Sequence, residues 1–385
     1  MATVDVLPSQ DVHHPSFKPI IHEEAPVSCM GSEKVPAFDP AKHLNFQEPS
    51  KIWSMRELGF PDGAGVAPVA VSTPFPLFTN EAIKAMRTEV LSDEVWDNCR
   101  YSSDIAPCQL RGFAPKYAKF VYDAWKSPET LAIISKIAGI DLIPNMDLEI
   151  AHINISVKSE AQKNQELAEF HEKRERLIAE GADESQAADE KPVVGWHTDS
   201  YPFVCVLMLS DASSMIGGET ALRTGNGEIL KVRGPQMGHA VVMQGRYIRH
   251  QALRALGSQE RITMVTSFRP RSPALPDDSV LTTVRGISDL SELYYQFSEY
   301  RFEILEERVR DALRKLRERK RSGKRTDTKA LKAFLQEQQK FLARTDEEMV
   351  DEDKVVQGFS DQLDKQGDDQ GDVKSTPGAK RARIE

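Results

Sequence analysis

A run of short apolar segments separated by glycine-containing turns fills residues 193–270. Four of these segments, each of strand length, read VGWHTD, FVCVLMLS, GHAVVMQG and RITMVTSFRP. Many short strands at regular spacing are typical of a β-sandwich or β-barrel. An earlier strand, LEIAHINISV, places His152, Asn154 and Ser156 on one face and apolar residues on the other. One polar and one apolar face are what a barrel with a wet interior needs.

Helices are predicted before and after this strand-rich region in the chain. FTNEAIKAMRTEVLS begins with Thr79 as its N-cap, and SPETLAIISKIAG begins with Ser127 as its N-cap and ends at Gly139. Further along the chain, DLSELYYQFSEYRFEILEERVRDALRKLRER predicts a long amphipathic helix, and TKALKAFLQEQQKFLA predicts a second one. The apolar stripe of the long helix, which could pack on the core or form a dimer contact, is Leu290, Leu293, Phe297, Ile304, Leu305, Val309, Ala312, Leu313 and Leu316.

Composition divides the chain into four parts. Residues 1–50, rich in Pro, Ser, His and Glu, predict a flexible arm, and residues 51–287 form the main domain. Within that domain, residues 158–192 are a highly charged insertion that could be a mobile lid or a solvated excursion. Residues 288–345 are the C-terminal helical region, and residues 346–385 predict a disordered tail.

Charge and cysteine usage limit the function classes. The net charge of -9 argues against a binder of nucleic acid or anionic membranes. No stretch resembles a membrane span or a secretory signal. The four cysteines, Cys29, Cys99, Cys108 and Cys205, lack zinc-like pairing, which favours reduced thiols in a cytoplasmic protein. The basic run RKLRERKRSGKR is interpreted as a solvated helix end, and the terminal KRARIE as a short stretch that could act as a nuclear signal.

His197 and Asp199 are separated by one residue in the predicted strand segment VGWHTD. Side chains at positions i and i+2 of a strand point to the same side, so the two form either an ordinary polar pair or part of a metal site. Downstream come GGET at 217–220, then His250, and then Arg261 at the start of the strand RITMVTSF.

A rival histidine, His239, precedes Arg249 at a similar spacing. The segment QMGHAVVMQG reads as a turn that enters an apolar strand, which places His239 at the start of the strand and outside the barrel mouth. Arg261 instead opens an alternating strand. We therefore favour His250 over His239 as the functional histidine.

The ordered set of His197, Asp199, GGET, His250 and Arg261 resembles the Fe(II)- and 2-oxoglutarate-dependent dioxygenase superfamily. GGET is similar to the prolyl-hydroxylase-like branch, and GVAPVAVSTPFPLFTNEA is similar to uncharacterised fungal members. The resemblance implies an α+β fold with a double-stranded β-helix (jelly-roll, cupin-like) core, flanking helices and a long C-terminal helix. It also implies Fe(II), 2-oxoglutarate as co-substrate, and O2.

The resemblance assigns His197, Asp199 and His250 as the metal ligands, two imidazoles and one carboxylate on one face of the iron. Arg261 and Thr263 match the pair that binds the distal carboxylate of 2-oxoglutarate, since a guanidinium can pair with a carboxylate through two hydrogen bonds. An ordinary salt bridge is the alternative for Arg261. No catalytic residue beyond the metal ligands is implied.

Four further residues near the motif are site candidates. Asn154 could contact 2-oxoglutarate or make a structural hydrogen bond. Trp196, Tyr201 and Arg223 are candidates for the substrate pocket, with packing as the alternative for the two aromatic residues. His152 is interpreted as a satisfied core histidine.

The implied activity is oxidation of an unactivated C–H bond, by hydroxylation, desaturation or oxidative cyclisation. The expected substrate is a small molecule, such as an amino acid or a secondary-metabolite intermediate, and GGET leaves a protein side-chain hydroxylase as the alternative. Nucleic-acid demethylation is disfavoured because position 263 is threonine and the next arginine is Arg269. A non-enzymatic binding protein would require a broken ligand set. The expected partners are the small-molecule substrate, no nucleic acid, no membrane, and a second copy bound through the C-terminal helix.

Overall fold

The computed structural model describes residues 35–181 and 192–360 of the 385-residue chain. Its α-helices are α1 (Pro40–His43), α2 (Asn80–Val90), α3 (Asp93–Cys99), α4 (Ala114–Tyr117), α5 (Lys119–Lys126), α6 (Pro128–Ala138), α7 (Glu160–Ala179), α8 (Leu290–Arg321) and α9 (Thr328–Glu348). Short 3-10 helices cover Asp147–Glu149, Arg285–Ile287 and Glu352–Lys354.

Short strands fill most of the chain between these helices. They are β1 (Ile52–Ser54), β2 (Val69–Ser72), β3 (Phe75–Pro76), β4 (Arg100–Tyr101), β5 (Cys108–Leu110), β6 (Leu142–Pro144), β7 (His152–Val157), β8 (Pro192–His197), β9 (Phe203–Met208), β10 (Ile216–Gly217), β11 (Thr220–Arg223), β12 (Ile229–Val232), β13 (His239–Met243), β14 (His250–Leu253), β15 (Ala255–Leu256) and β16 (Glu260–Pro270).

The strands form two main antiparallel sheets. The large sheet has the order β1-β2-β13-β9-β16-β7-β5-β4, with β3 paired to β13 and β6 paired to β16. The small sheet has the order β12-β11-β14-β8, and β10 pairs separately with β15. Side chains from both sheets line one cavity. This mixture of helices and antiparallel sheets confirms the expected α+β class.

Helices α2, α5 and α6 contribute to the same hydrophobic core as the apolar face of the large sheet. The predicted caps of α2 and α6 are present: the Thr79 hydroxyl accepts from Ala82 N at 3.2 Å and the Ser127 hydroxyl accepts from Thr130 N at 3.1 Å. Trp125 on α5 is fully buried, and its indole N–H donates to Met264 Sδ on β16 at 3.1 Å. The other face of the sheet is therefore left to line the cavity.

The predicted stripe of α8 divides into two halves with different surroundings. Leu293, Phe297, Tyr300 and Ile304 are buried in a second hydrophobic cluster beside the sheets. Val309, Leu313 and Leu316 are exposed by 48%, 42% and 39%. The helix extends beyond the surface of the domain, so its apolar residues are buried only along its first half.

Helix α9 returns beside α8 and is joined to it by a buried arginine. The Arg301 guanidinium is 1% exposed and donates to the Thr345 hydroxyl at 3.0 Å and to the Phe341 carbonyl at 3.0 Å. It also forms an ion pair with Asp277 at 3.4 Å. The predicted C-terminal helical region is thus a helical hairpin fixed to the main domain.

The predicted start of the disordered tail at residue 346 is wrong. Residues 346–348 continue α9, and the Glu348 carboxylate forms an ion pair with Arg285 at 2.5 Å and accepts from Leu281 N at 2.7 Å. Further on, Gly358 N donates to the Gly286 carbonyl at 2.7 Å. These contacts place residues 346–360 against the domain, whereas 361–385, with KRARIE, lie outside the described residues.

The predicted flexible arm also ends earlier than residue 50. From residue 35 the chain packs on the helices: His43 is 2% exposed, and its ring centroid lies 4.9 Å from that of Phe120. Residues 1–34, including Cys29, lie outside the described part of the chain. The remaining three cysteines are buried and not disulfide-bonded.

The charged insertion contains helix α7, none of whose residues is buried. Glu166 of this helix forms ion pairs with Lys158 at 2.6 Å and with Arg254 of the domain at 3.3 Å. Residues 182–191 lie outside the described range, so the lid interpretation stays a prediction. In the two described stretches, no helix combines the length and apolarity that a membrane crossing needs.

Candidate metal centre

Two histidines face each other on neighbouring strands of the small sheet. His197 ends β8, His250 begins β14, and the two residues are directly paired in the antiparallel register. Paired residues on adjacent strands point to the same side of a sheet, so the two rings meet with centroids 4.3 Å apart. Asp199 follows two residues after His197, where the strand has ended.

The Asp199 carboxylate lies between the two imidazoles. Its Oδ1 is 3.7 Å from His197 Nε2, and its Oδ2 is 3.6 Å from His250 Nε2. One ligand atom from each residue lies within 4.8 Å of the other two. It is His250, and not His239, that joins this cluster, because His239 begins β13 in the large sheet and pairs with Pro76.

Backbone carbonyls orient both imidazoles. His197 Nδ1 is 2.7 Å from the Gly195 carbonyl, and His250 Nδ1 is 2.9 Å from the Ile248 carbonyl. A carbonyl only accepts, so each Nδ1 carries the proton and each Nε2 presents a lone pair to the cluster. This is how proteins fix the tautomer of a metal-binding histidine.

The electrostatics of the cluster favour a bound cation. Burial opposes ionisation of Asp199, yet the two imidazoles hold the pKa of its carboxyl below the usual value. Burial lowers the pKa of His250 to about 4, so this imidazole is neutral at physiological pH. Asp199 Oδ2 is buried and has no hydrogen-bond partner. A buried anionic oxygen without a partner is costly, and a metal ion would satisfy it.

Gly245 leaves the space that the carboxylate occupies. The Gly245 carbonyl accepts from Asp199 N at 2.9 Å. A Cβ atom at position 245 would lie 1.7 Å from Asp199 Oδ2. Two imidazole nitrogens and one carboxylate held in this way suit a divalent transition metal such as Fe(II).

The cluster opens onto a cavity of about 230 Å³ whose other wall is the polar face of the large sheet. Arg261 and Thr263 stand on this face of β16, and Asn154 is the register partner of Thr263 on β7. Burial lowers the pKa of the Arg261 guanidinium, and no described residue gives it a hydrogen-bond or ion-pair partner. A partly buried cation without a partner favours binding of an anion.

Sequence reasoning missed a second polar group in the same cavity. Arg111 and Glu149 are both buried and form an ion pair, with Nη1 to Oε2 at 3.1 Å. The Tyr201 hydroxyl donates to Glu149 Oε1 at 2.5 Å, and Arg111 Nε donates to the Ser288 hydroxyl at 2.8 Å. Tyr201, a predicted pocket residue, therefore does line the cavity. The only sequence signal for the pair was two charges in otherwise apolar surroundings.

His152 was interpreted as a core histidine, but it lines the cavity. Gln109 Nε2 lies 3.1 Å from His152 Nε2 and donates to Asn154 Oδ1 at 3.2 Å, while Gln109 Oε1 accepts from the Ser103 hydroxyl at 2.8 Å. The amide thus makes His152 Nε2 an acceptor and leaves the proton on Nδ1. Burial, followed by the charge of Arg111, lowers the pKa of His152 to about 4.

Two predicted pocket residues lie elsewhere. Neither Trp196 nor Arg223 lines the cavity, and the Arg223 guanidinium stacks on the Trp196 ring at 5.2 Å. Successive residues of a strand point to opposite faces, so Trp196 points away from the side that His197 takes. The sequence-based prediction that these two contact substrate is corrected accordingly.

No protein-family model and no curated protein matches this chain. Among solved structures, a prolyl-4-hydroxylase from Pseudomonas putida is 14% identical with a TM-score of 0.32, covering 50% of this chain and 88% of its own. A 2OG-Fe(II) oxygenase family protein from Burkholderia pseudomallei is 13% identical with a TM-score of 0.31, covering 46% and 76%. AviO1 from Streptomyces viridochromogenes is 14% identical with a TM-score of 0.34, covering 54% and 91%. These likenesses are distant, and the function is inferred from the geometry of the site.

Proposed function

We propose that this chain is an Fe(II)- and 2-oxoglutarate-dependent oxygenase. One observation carries the proposal: the Nε2 atoms of two imidazoles and a buried carboxylate oxygen without a hydrogen-bond partner converge in the lining of one cavity. The ligands would be His197, Asp199 and His250. This donor set leaves the other side of the metal open for a co-substrate and O2.

The arrangement of the sheets supports a double-stranded β-helix core. The small sheet supplies the histidines, and the large sheet supplies the polar wall of the cavity. A jelly roll places two antiparallel sheets around one interior. The helices that share a hydrophobic core with the large sheet lie on its apolar face and leave the face toward the small sheet open to the cavity.

The second requirement is a site for a dicarboxylate. Arg261 is a partly buried cation of the cavity without a partner among the described residues, and the Thr263 hydroxyl stands on the same face of β16. Together they would bind the distal carboxylate of 2-oxoglutarate. Because Gln109 donates to Asn154 Oδ1, the amide nitrogen of Asn154 is left to donate to the co-substrate or the substrate.

When iron, 2-oxoglutarate and O2 are bound together, they supply the oxidising power to attack an unactivated C–H bond, with loss of CO2 from the oxo-acid. The residues of this chain contribute position and exclusion of water. Backbone carbonyls hold the imidazoles, Gly245 makes room for the carboxylate, and Arg261 sets the direction of the oxo-acid.

The cavity favours a small molecule as substrate. It is about 230 Å³, with polar groups on the wall formed by the large sheet. Its apolar lining includes Ile105, Pro107, Val193, Val194, Val284 and Ile287. The substrate would therefore be a compact molecule with a largely apolar body, small enough to share this space with 2-oxoglutarate.

The motif that favoured a protein substrate has a structural explanation. Gly217 and Gly218 have φ of 79° and 76°, a region that favours glycine. A Cβ at position 217 would also lie 2.9 Å from the Arg254 carbonyl. The glycines of GGET are therefore accounted for by the turn after β10, and the small-molecule reading is preferred.

The proposal is tested by slow, substrate-free turnover of 2-oxoglutarate. Purified protein is incubated with Fe(II), 2-oxoglutarate and air, and succinate is measured by mass spectrometry. Arg261→Leu should lower succinate formation at subsaturating 2-oxoglutarate by about 10- to 100-fold, since a charge-assisted carboxylate contact is lost.

Arg223→Leu is the matched control, because this arginine lies outside the cavity. It should produce succinate at the rate of the unmodified chain. Absence of succinate from the unmodified, folded protein would contradict the proposed oxygenase, and equal rates in Arg261→Leu would contradict the assigned carboxylate site.

A further inference from the structure

The side of α8 that faces away from the domain carries a regular apolar stripe. Tyr295, Phe302, Val309 and Leu316 follow one another at seven-residue intervals and are exposed by 59%, 54%, 48% and 39%. Leu313, 42% exposed, lies beside them. Residues seven apart lie nearly above one another on a helix, so these side chains form one continuous apolar seam along its surface. The residues of α8 that pack on the domain occupy a different face, and only Leu316, at the end of the seam, also lines the cleft between α8 and α9.

Charged residues form a flank along one edge of this seam, and their sign reverses halfway. The first half of the flank is acidic and the second half is basic, and all its members are exposed. The spacing of three and four residues keeps them on one side of the helix. The acidic members are Glu292, Glu299, Glu303 and Glu306, and the basic members are Arg310, Arg314 and Arg317.

We propose that α8 binds α8 of a second copy of this chain in antiparallel orientation. The two-fold axis would pass between Leu305 and Glu306. Phe302 would then lie against the partner's Val309, and Tyr295 against the partner's Leu316. A two-fold interface must be self-complementary, and a stripe that is symmetric about its own midpoint meets this condition.

The reversal of charge fixes the orientation. In the antiparallel pair, the acidic half of each flank runs beside the basic half of the other. In a parallel pair, the two flanks would lie on opposite sides of the seam, each beside the uncharged edge of the other helix, and this attraction would be absent. The seam from Tyr295 to Leu316 spans roughly 30 Å at 1.5 Å per residue.

A polyanion or an anionic membrane is a poorer occupant of this surface. Either would be attracted to the basic half and repelled by Glu299, Glu303 and Glu306. The apolar seam, however, extends across both halves, beginning at Tyr295 in the acidic one. Only a partner with the opposite order of charges covers the whole seam, and the reversed helix of a second copy has that order.

The first test measures self-association of the full chain by sedimentation velocity across a range of concentrations. The unmodified protein should show a reversible dimer. The double variant F302S/V309S should raise the dimer dissociation constant by about tenfold or more, since two central contacts of the seam are lost. The matched control is L335S/L342S, which removes two leucines of α9 that are 52% and 42% exposed but lie off the seam.

The control should dimerise like the unmodified chain. A chain that stays monomeric at every concentration overturns the proposal, and so does a dimer that F302S/V309S leaves unchanged. Because the substituted side chains are exposed, circular dichroism should show both variants folded. The proposal is independent of the metal centre, and binding of a metal probe should be the same in the unmodified chain and in both serine variants.

The second test determines orientation. E299K/E303K should weaken the dimer, and adding R310E/R314E to it should restore the dimer, because the four substituted positions then again place opposite charges beside each other. A short bismaleimide should cross-link E306C, whose copies meet at the axis. It should not link E299C, whose copies lie about 20 Å apart along the helices. Cross-linking of both cysteine variants would indicate a parallel pair and overturn the proposed geometry.

Discussion

Gly245 offers the sharpest single-atom perturbation of the metal centre. Its replacement by alanine adds one methyl group at a point 1.7 Å from Asp199 Oδ2 and 2.6 Å from Asp199 Cγ. Non-bonded heavy atoms do not approach so closely, so the carboxylate must move by more than about 1 Å. The backbone of Gly245 is outside the left-handed region, and alanine can adopt it without strain.

The expected effect is loss of metal affinity in a folded protein. Changes that misplace a metal ligand typically cost 10- to 100-fold in affinity, or about 1.4–2.7 kcal/mol. Co(II) serves as a probe, and its binding is followed anaerobically by visible absorption in the unmodified chain and in Gly245→Ala. We expect a dissociation constant at least about tenfold higher in the variant.

Gly234→Ala controls for a clash elsewhere in the fold. Its Cβ would lie 2.7 Å from the Gly218 carbonyl, away from the three ligands. This variant should lower the melting temperature and leave Co(II) affinity unchanged. If Gly245→Ala binds Co(II) as tightly as the unmodified chain, Asp199 is not a ligand and the inferred centre is wrong.

Two further predictions concern the polar group deeper in the cavity. Glu149→Ala should lower the free energy of unfolding by about 3–5 kcal/mol in urea titrations, because it leaves the buried Arg111 charge uncompensated. A decrease of less than about 1 kcal/mol would show that the ion pair is solvated. His152 has a folded pKa of about 4, below its usual value, so the unfolded chain takes up the proton first as the pH falls. The metal-free protein should therefore lose stability as the pH falls from about 6.5 to 4. In melting measurements at several pH values, His152→Asn should make this loss of stability smaller, and His250 should account for the part that remains. If the loss is the same in the variant, His152 is protonated in the folded state.

The resemblance of the motif predicted the three proposed ligands, and strand geometry explains why they lie together. His197 and Asp199 are two residues apart at the end of one strand, and the partner strand brings His250 opposite His197. The alternation of β7 likewise predicted that Asn154 faces away from the core that Ile153 and Ile155 enter. Where a periodicity of two residues determines the outcome, the sequence is sufficient.

The buried pair in the cavity could not be predicted for a different reason. Arg111 and Glu149 belong to segments that only the folded sheet and its neighbouring loops bring together. Neither has a motif around it, and a charged residue in an unknown fold is normally taken as exposed. His152 was misjudged because its role depends on Gln109, which lies on another strand.

The extent of burial along the long helix could not be predicted from sequence, and the start of the tail was predicted wrongly. The apolar spacing on α8 is regular from Leu293 to Leu316, but only the domain determines where contact with it ends. At residue 346 the composition turns polar, yet the Glu348 carboxylate is held by Arg285. A polar residue with one strong partner cannot be distinguished by composition from one in a disordered tail.

The most direct test of the iron centre is an anaerobic titration of the metal-free protein with Fe(II) and 2-oxoglutarate, followed by visible absorption. It compares the unmodified chain with His250→Ala and His239→Ala. We expect a weak charge-transfer band in the unmodified chain and in His239→Ala, and none in His250→Ala. A folded, unmodified chain that gives no band would contradict the proposed oxygenase, and a band that persists in His250→Ala would contradict the assignment of the third ligand.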